Sequence, residues 1–298
     1  MLPAPIDRCG SGWAPFAGGA VFNTAIALGR LGVSVGLLTG LSTDNFGQIL
    51  RAALTEANVD ITLAVATDRK TTLAFVTLKD GVAEYSFYDE CSATRMLQIE
   101  EIPPLPRDVT TLFFGGISLA SEPCASALEQ LQVREGAGRI SVLDPNVRPA
   151  FLTDEVGYRA RIDRMMRRSD IVKISDEDLI WLFPDDRPLS EKMLEILDHG
   201  PSIVVTTLGS EGATAVCRDG VEITVPAKPV PVVDTVGAGD TFNAGFLTKL
   251  AEHGDLDCNR LASVDRGTLH AALEYGVAAA AYSVAHAGAR PPRRIDLA

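Results

Sequence analysis

The sequence lacks the marks of several protein classes. Its five cysteines include no CxxC pair, which argues against a disulfide framework and for reduced thiols in the cytoplasm. Its four histidines show no metal-ligand spacing. The opening MLPAPIDRCGSGW has neither the basic segment nor the apolar run of a signal peptide. The longest stretch of small apolar residues, 275–289, is too short and too rich in alanine and glycine to span a membrane.

Basic charge is also scarce, because the formal net charge is −12. A nucleic-acid partner is therefore not expected, although a few backbone amides or one arginine can still bind a small anion. Apolar residues make up 46% and charged residues 22%, as in a globular protein with a substantial core. A length of 298 residues fits one large α/β domain with a small appendage, or two domains.

Predicted strands and helices alternate along most of the chain. Near the start we predict a helix that Gly32 ends, a buried strand over 33–40 and a helix capped by Asp44. From residue 112 onward strands alternate with helices, and the last third holds helices at about 240–252 and 267–286. This order predicts a mostly parallel sheet with helices on both faces.

The segment 71–88 has a different character from its surroundings. Two β-rich runs, 71–78 and 82–88, flank Lys79-Asp80-Gly81. An Asp-Gly pair between such runs is a strong hairpin signal. Because a hairpin fits poorly in an alternating α/β chain, we expect it to belong to a separate small sheet.

The segment most suggestive of chemistry is DTVGAGDTFNAG, residues 234–245. Glycines followed by a helix start let backbone amides approach an anion at the positive end of the helix dipole. Asp240 would stand beside that anion, where a carboxylate can take a proton from an attacking hydroxyl. The same pattern could also be an ordinary capped helix start. A dinucleotide fold is disfavoured because Phe242 holds the third glycine position, and no Walker-type P-loop is present.

The DTVGAGDTF segment closely resembles the C-terminal signature of the ribokinase-like (phosphofructokinase-B type) carbohydrate kinases. Four further segments resemble this family in the family's own order, and they are 18–32, 173–178, 207–212 and 288–289. The resemblance implies a ribokinase-like α/β fold with a small β lid. It assigns 17–70 and 91–298 to the kinase domain, 71–90 to the lid hairpin, and 1–16 to a lid-associated N-terminal segment.

The resemblance also implies roles for single residues on the sugar side. The family residue matching Asp240 deprotonates a sugar hydroxyl, and the amides of Gly237, Ala238 and Gly239 form an anion hole. Sugar contacts are expected from the glycine pair, the lid side and the Asp-Pro-Asn-x-Arg segment, namely Gly18, Gly19, Asn23, Phe87, Arg95 and Arg148.

On the nucleotide side the resemblance implies ATP, with Mg²⁺ arriving on its phosphates. The expected nucleotide-binding residues are Lys173, Ser175, Thr207, Gly209 and Gly212. Asp234 resembles the family's ligand for a monovalent cation such as K⁺. The family's Asn-x-x-Glu is replaced here by Ser175-x-x-Asp178, so Asp178 is expected to contact magnesium through water.

The expected substrate follows from resemblance alone. Residues 85–88 and 144–149 look most like bacterial fructokinases, which implies conversion of fructose to fructose 6-phosphate. The Asp-Pro-Asn-x-Arg pattern is also similar to that of 2-keto-3-deoxygluconate kinases, and another sugar or nucleoside kinase of the family stays open. A non-catalytic sugar or nucleotide sensor is the alternative of another class. The lid implies a homodimer.

The beginning of the chain departs from the family pattern. Family members usually start with a strand that ends in a sugar-binding aspartate, well before the glycine pair, whereas this chain starts at Met1-Leu2-Pro3. Asp7 lies in a Pro/Gly-rich stretch and is a poor substitute. We hypothesise a true start upstream of Met1, which N-terminal mass spectrometry of the native protein would test.

Overall fold

The computed structural model describes residues 1–6, 10–79 and 82–297. Asp7, Cys9 and the Asp80-Gly81 turn, all singled out in the sequence, lie outside this part of the chain. The helices are α1 Ala20–Arg30, α2 Asn45–Glu56, α3 Cys124–Glu135, α4 Glu155–Met166, α5 Asp176–Leu182, α6 Leu189–His199, α7 Ala238–His253 and α8 Arg266–Val284. The strands are β1 Leu2–Ile6, β2 Gly10–Ala14, β3 Gly40–Ser42, β4 Val65–Thr67, β5 Leu73–Lys79, β6 Val82–Tyr88, β7 Thr111–Gly115, β8 Ile140–Asp144, β9 Ile171–Ser175, β10 Ile203–Thr207, β11 Ala213–Cys217 and β12 Glu222–Val225.

The largest sheet has six strands in the order β12-β11-β10-β9-β8-β7. Strands β7 to β10 are parallel, and β11 and β12 continue the sheet in antiparallel pairs. The apolar residues of β8, β9 and β10 are buried because both faces of the sheet are covered there. The predicted α/β class and mostly parallel sheet are confirmed.

Two hydrophobic cores cover the two faces of this sheet. Successive residues of one strand face opposite sides, so Val142 joins the core that contains α1, α7 and α8, and Leu143 joins the other. The second core is closed by residues of α3, α4, α5 and α6. The carboxyl ends of β8, β9 and β10 meet at one edge, where ligands of open α/β sheets usually bind.

The predicted strand over 33–40 is wrong. Only Gly40–Ser42 forms a strand there, paired in parallel with Val65–Thr67, and Gly36 makes an isolated bridge to Asp60. Residues 33–39 face β7 across a cavity of about 1560 Å³ that also extends to the glycine pair. An apolar run becomes a strand only when neighbours accept its backbone hydrogen bonds, and none of the described strands lies in that space.

A small β layer lies apart from the main sheet. The β5 and β6 strands pair antiparallel, as the hairpin signal predicted. The β1–β2 hairpin lies beside β5. The Met1 amino group donates to the Ala74 carbonyl at 2.6 Å. The Trp13 ring packs edge-on against Phe75, which packs edge-on against Tyr88. None of the helices in the described ranges has the length and apolar character needed to cross a bilayer.

Asp44 ties this β layer to the helical body. Its carboxylate caps α2 by accepting from the Gly47 amide at 2.8 Å. It also accepts from the Thr71 amide at 2.9 Å and the Thr71 hydroxyl at 2.7 Å, two residues before β5 begins. Burial alone would raise the pKa of Asp44, but these hydrogen bonds outweigh it and lower the pKa to about 2.

Asp44→Ala should therefore destabilise the protein by about 1–3 kcal/mol, because the variant loses a helix cap and the attachment of β5. A carboxylate whose pKa is lowered by folding stabilises the fold at pH values above its ordinary pKa, which is 3.8 for Asp44. The advantage of the wild type should fade as the pH drops from about 4 toward 2. Urea unfolding at several pH values measures both effects.

Asp265→Ala is the matched control, because Asp265 caps α8 through the Gly267 and Thr268 amides without touching the β layer. Both variants should lose stability, but only Asp44→Ala should speed amide exchange in residues 73–75 and 86–88. Equal exchange in the two variants would contradict the attachment.

Candidate active site

A left-handed glycine turn begins α7. Gly237 has φ of +76°, and a methyl group there would lie 2.7 Å from the Ala289 Cβ, so glycine is required for conformation and for space. Asp234 closes this turn. Its two carboxylate oxygens accept from the amides of Val236 and Gly288, each at 2.9 Å. The 234–242 and 288–289 segments, matched separately in the sequence, are thus joined in space.

Asp240 is buried in the first turn of α7 and faces α1. Its Oδ2 accepts from the Asn23 side-chain amide at 2.8 Å, and its backbone carbonyl accepts from the Thr24 hydroxyl at 3.3 Å. Burial raises the pKa of Asp240 to about 6, partly opposed by the Asn23 hydrogen bond. A carboxylate with such a pKa is ionised at neutral pH yet basic enough to accept a proton from a hydroxyl.

The backbone amides beside Asp240 are not equally available to an incoming anion. The Ala238 amide donates to the Thr235 carbonyl at 3.2 Å, so an incoming anion would have to compete for that hydrogen bond. Gly237 and Gly239 flank it at the amino end of α7, where the helix dipole favours negative charge. The geometry therefore fits anion binding, with the Ala238 amide the least available of the three.

A buried ion pair lies next to this helix end. The Lys173 Nζ is 3.2 Å from Asp144 Oδ2, and the same oxygen accepts from the Asn243 side-chain amide at 2.7 Å. Lys173 comes from β9, Asp144 from the carboxyl end of β8, and Asn243 from α7. The sheet edge and α7 thus share one polar cluster.

The predicted nucleotide-side residues lie next to the same edge. Ser175 and Thr207 are paired neighbours at the ends of β9 and β10. The Ser175 hydroxyl caps α5 by accepting from the Asp178 amide at 3.1 Å. Gly209 and Gly212 have positive φ and bracket the turn before β11, and a methyl group on Gly212 would clash with the Val225 carbonyl. Ser175, Thr207 and the turn at 209–212 thus lie at the same edge of the sheet, and their contact with a nucleotide stays a prediction.

The sugar-side predictions divide into two groups. Gly18, Gly19, Asn23 and Phe87 all line the cavity, and the Phe87 ring packs against Phe151 with ring centroids 3.9 Å apart. Two predicted arginines do not line this cavity, as described next.

Arg95 and Arg148 are engaged elsewhere. Arg95 pairs with Asp89 at 3.2 Å and donates to the Glu122 carbonyl, which fixes it at the base of the β layer. Arg148 is exposed and donates to the Val147 carbonyl at 2.8 Å, although its charge is near enough to lower the pKa of Asp240. Sugar contacts by Arg95 and Arg148 both stay predictions.

Three residues of this site were not in the predicted set, and they are Thr24, Asp144 and Asn243. Asp144 ends a buried strand, which is a recognisable position for a ligand-side polar group. Asn243 follows Asp240 by three residues and so shares its helix face. Those two signals could have identified Asp144 and Asn243, but the contact between their side chains depends on the tertiary fold.

The described residues include no group of three His, Cys, Asp or Glu side chains placed to hold a metal ion. Asp178 Oδ2 accepts from the Val147 amide at 3.2 Å. Burial, and next the charge of Asp144, raise the pKa of Asp178 to about 6. A single such carboxylate suits a water-mediated contact with Mg²⁺ better than direct coordination, since Mg²⁺ keeps several of its waters.

Comparison with known proteins agrees with this geometry. The sequence pattern of the pfkB family carbohydrate kinase matches residues 10–295. The chain belongs to this family. It is thus an ATP-dependent carbohydrate kinase of ribokinase-like fold, and the family resemblance is confirmed.

Relatives within the family share most of their length with this chain. A fructokinase of Rhizobium leguminosarum bv. trifolii is 47% identical over 271 residues, which cover 90% of this chain and 82% of the relative. A fructokinase of Xylella fastidiosa solved with ATP superposes with a TM-score of 0.88 at 27% identity, covering 100% and 94%. A Vibrio cholerae fructokinase solved with fructose, ADP and calcium gives 0.83 at 26%, covering 99% and 94%.

Asp240→Asn should separate activity from stability in this kinase. Loss of a general base costs about 10²–10⁴-fold in turnover. A buried carboxylate whose pKa rises from 3.8 to about 6 destabilises the fold increasingly as the pH rises through that window. The variant should therefore be more stable than the wild type, by about 2–3 kcal/mol above pH 6 and less toward pH 4. Coupled-enzyme assays and denaturant unfolding measure the two effects.

Asp170→Asn is the control, because burial also raises the pKa of Asp170, whose carboxylate accepts from the Ser141 amide at 2.8 Å and lies outside the polar cluster of Asp240. That variant should keep normal turnover. Near-normal turnover of Asp240→Asn would remove Asp240 from the catalytic step.

Proposed function

We propose that the protein is a fructokinase that transfers the γ-phosphoryl group of Mg-ATP to the primary hydroxyl of fructose, giving fructose 6-phosphate. The observation that carries the proposal is the buried Asp240 carboxylate at the amino end of α7, hydrogen-bonded to Asn23. It combines a base, an anion-binding helix end and a sugar-side polar group within one cluster.

In the proposed reaction Asp240 accepts the proton of the attacking hydroxyl. The amides of Gly237, Ala238 and Gly239 then stabilise the phosphoryl group as it moves, with the Ala238 amide leaving Thr235. Gly18, Gly19 and Asn23 orient the sugar. The Asn23 side-chain amide therefore has two tasks, because it also holds the base in place.

We propose that ATP lies along the carboxyl ends of β9 and β10. Lys173, Ser175, Thr207, Gly209 and Gly212 line that side. Mg²⁺, when bound with ATP, would neutralise phosphate charge, and Asp178 would contact it through water. A monovalent cation such as K⁺ would stiffen the turn at Asp234, whose oxygens already tie 236 and 288 together.

We further propose that residues 1–16 and 71–90 act as a lid over the sugar. The described part of this lid contributes Phe87 to the cavity, where it packs on Phe151 after β8. Closure would exclude water, which otherwise competes with the sugar for the phosphoryl group.

Fructose is favoured over other acceptors by the relatives. The Rhizobium protein at 47% identity and both solved neighbours are called fructokinases. A kinase for 2-keto-3-deoxygluconate or a nucleoside is the alternative within the family. A non-catalytic sensor is the alternative of another class, and the buried, base-like Asp240 argues against it.

ADP release from Mg-ATP should be strong with fructose and at least tenfold weaker with ribose, glucose, 2-keto-3-deoxygluconate and adenosine, because a wrong acceptor leaves buried polar groups unpaired. Steady-state kcat/KM for each acceptor is the measurement. A preference for another acceptor would replace the substrate and keep the chemistry. Binding of ATP and sugar without product would support the sensor.

A homodimer joined through the lid is a further proposal. Trp13 and Tyr88 are more than half exposed there, at 51% and 58%, and both rings pack on Phe75, so they form one exposed aromatic patch of the kind that marks contact sites. We also propose a cytoplasmic location, since the cysteines of the described residues are free thiols.

Replacing both rings, Trp13→Ser with Tyr88→Ser, should convert the dimer to a monomer, because the contact loses its apolar anchors. Analytical ultracentrifugation measures the change. Val156→Ser on α4 is the control, since Val156 is 80% exposed and does not belong to the lid segments 1–16 and 71–90. A wild-type monomer, or a double variant that stays dimeric, would contradict the proposal.

A further inference from the structure

The Lys173 ammonium is the buried cation nearest the transfer site. It lies against the backbone of Gly239, because a methyl group placed there would be 3.2 Å from the Lys173 Nζ. Gly239 immediately precedes Asp240 at the start of α7. The ammonium therefore stands next to the amides that face an incoming phosphoryl group, on the side of the sheet edge.

Lys173 does not hold this position by itself. A lysine side chain has many rotamers, and burying its charge without a partner is costly. Asp144 supplies the partner at 3.2 Å, with both side chains almost inaccessible to solvent. Asn243 donates to the same Asp144 oxygen at 2.7 Å, which fixes the orientation of the carboxylate.

The Asp144 carboxylate is only half satisfied. Its Oδ2 receives both hydrogen bonds, while Oδ1 is buried and has no hydrogen-bond partner among the described residues. A purely structural ion pair would be expected to use both oxygens. A carboxylate held in this costly state is more consistent with a task at the site than with stability.

Resting on the proposed kinase function, we propose that Asp144 and Asn243 are positioning residues that hold the Lys173 ammonium beside Gly239, where it contacts the phosphoryl group being transferred. Lys173 is then the catalytic residue of the three. Asp144 and Asn243 act through it and touch neither sugar nor nucleotide.

This arrangement also keeps the ammonium away from the base. Lys173 and Asp240 are close enough to affect each other electrostatically, yet the lysine is bonded to Asp144 and the aspartate to Asn23. If Lys173 paired with Asp240 instead, the base would lose its free lone pair and the phosphoryl group its cation. By holding Lys173, Asp144 therefore leaves the ammonium available to the phosphoryl group and Asp240 available to the attacking hydroxyl.

A double-mutant cycle tests the proposal in the full-length protein. Lys173→Met should lower kcat by about 10²–10³-fold, as expected for loss of a donor to the developing charge. Asp144→Asn should lower kcat by about tenfold or more. At a pH above the acid limb, where Asp240 is ionised in every variant, the double variant should be no slower than Lys173→Met, within about threefold, if Asp144 acts on the transfer step through Lys173. Independent, multiplied losses would overturn the proposal.

Nucleotide affinity provides a test that does not depend on the acceptor sugar. Calorimetry should show that Lys173→Met and Asp144→Asn both weaken ATP more than ADP, since only ATP carries the group that Lys173 contacts. Unchanged ATP affinity in both variants would overturn the inference. Wild-type protein that binds ATP but phosphorylates no acceptor would instead contradict the proposed function, so the two failures are distinguishable.

The pH profile separates positioning from mere packing. Asp240 is faced by Asn23 on α1, Asp144 on β8, Lys173 on β9 and the exposed Arg148 after β8. The negative charge of Asp144 is one of the causes that raise the pKa of Asp240. Asp144→Asn should therefore move the acid limb of kcat/KM to lower pH, which a packing defect would not do.

Ser141→Ala is the matched control on the same strand. The Ser141 hydroxyl accepts from the Gln132 side-chain amide at 2.9 Å in a buried network on the far side of the sheet. This variant should lose stability, with kcat, ATP affinity and the acid limb unchanged. If it reproduced the kinetic changes of Asp144→Asn, those changes would reflect folding rather than positioning.

Discussion

The hydrogen bond between the Asn23 amide and the Asp240 carboxylate joins two helices that are 217 residues apart in sequence. One helix carries at its start the glycine pair that we propose to contact the sugar, and the other begins with the glycine turn that we propose to bind the anion. Both helices pack in the same hydrophobic core, so the glycine pair and Asp240 are fixed relative to each other by bulk apolar burial. The polar contact then adjusts their orientation within that rigid frame.

Much of the fold could be predicted because its signals are local. The runs that became β8, β9 and β10 are short, apolar and flanked by helices, and a parallel sheet buries both of their faces. The 33–40 run has the same composition, yet it became a strand only at its end. Whether an apolar run forms a strand depends on a neighbour that accepts its hydrogen bonds, and no local pattern contains that information.

The site was predictable to a similar extent. Asp240 stands in a glycine-rich helix start, which is a local signal with a direct physical meaning. Asp144, Lys173 and Asn243 come from three separate elements, and their contact exists only once β8, β9 and α7 have packed. Arg95 pairs with Asp89 in the structure, a partner that no local pattern indicates, and its contact with a sugar stays a prediction. Partners of buried charges are set by tertiary structure.

The charge balance of the cluster explains why cations matter to the proposed reaction. Asp144, Asp178 and Asp240 are buried together with a single buried ammonium, and burial raises the pKa of both Asp178 and Asp240 to about 6. An incoming triphosphate adds further negative charge, which raises the pKa of Asp240 again and favours its protonated, inactive form. The base stays ionised only if the nucleotide brings positive charge with it or the site already contains positive charge. Lys173 is the part of that charge built into the fold, and a divalent cation bound to the phosphates would supply the rest.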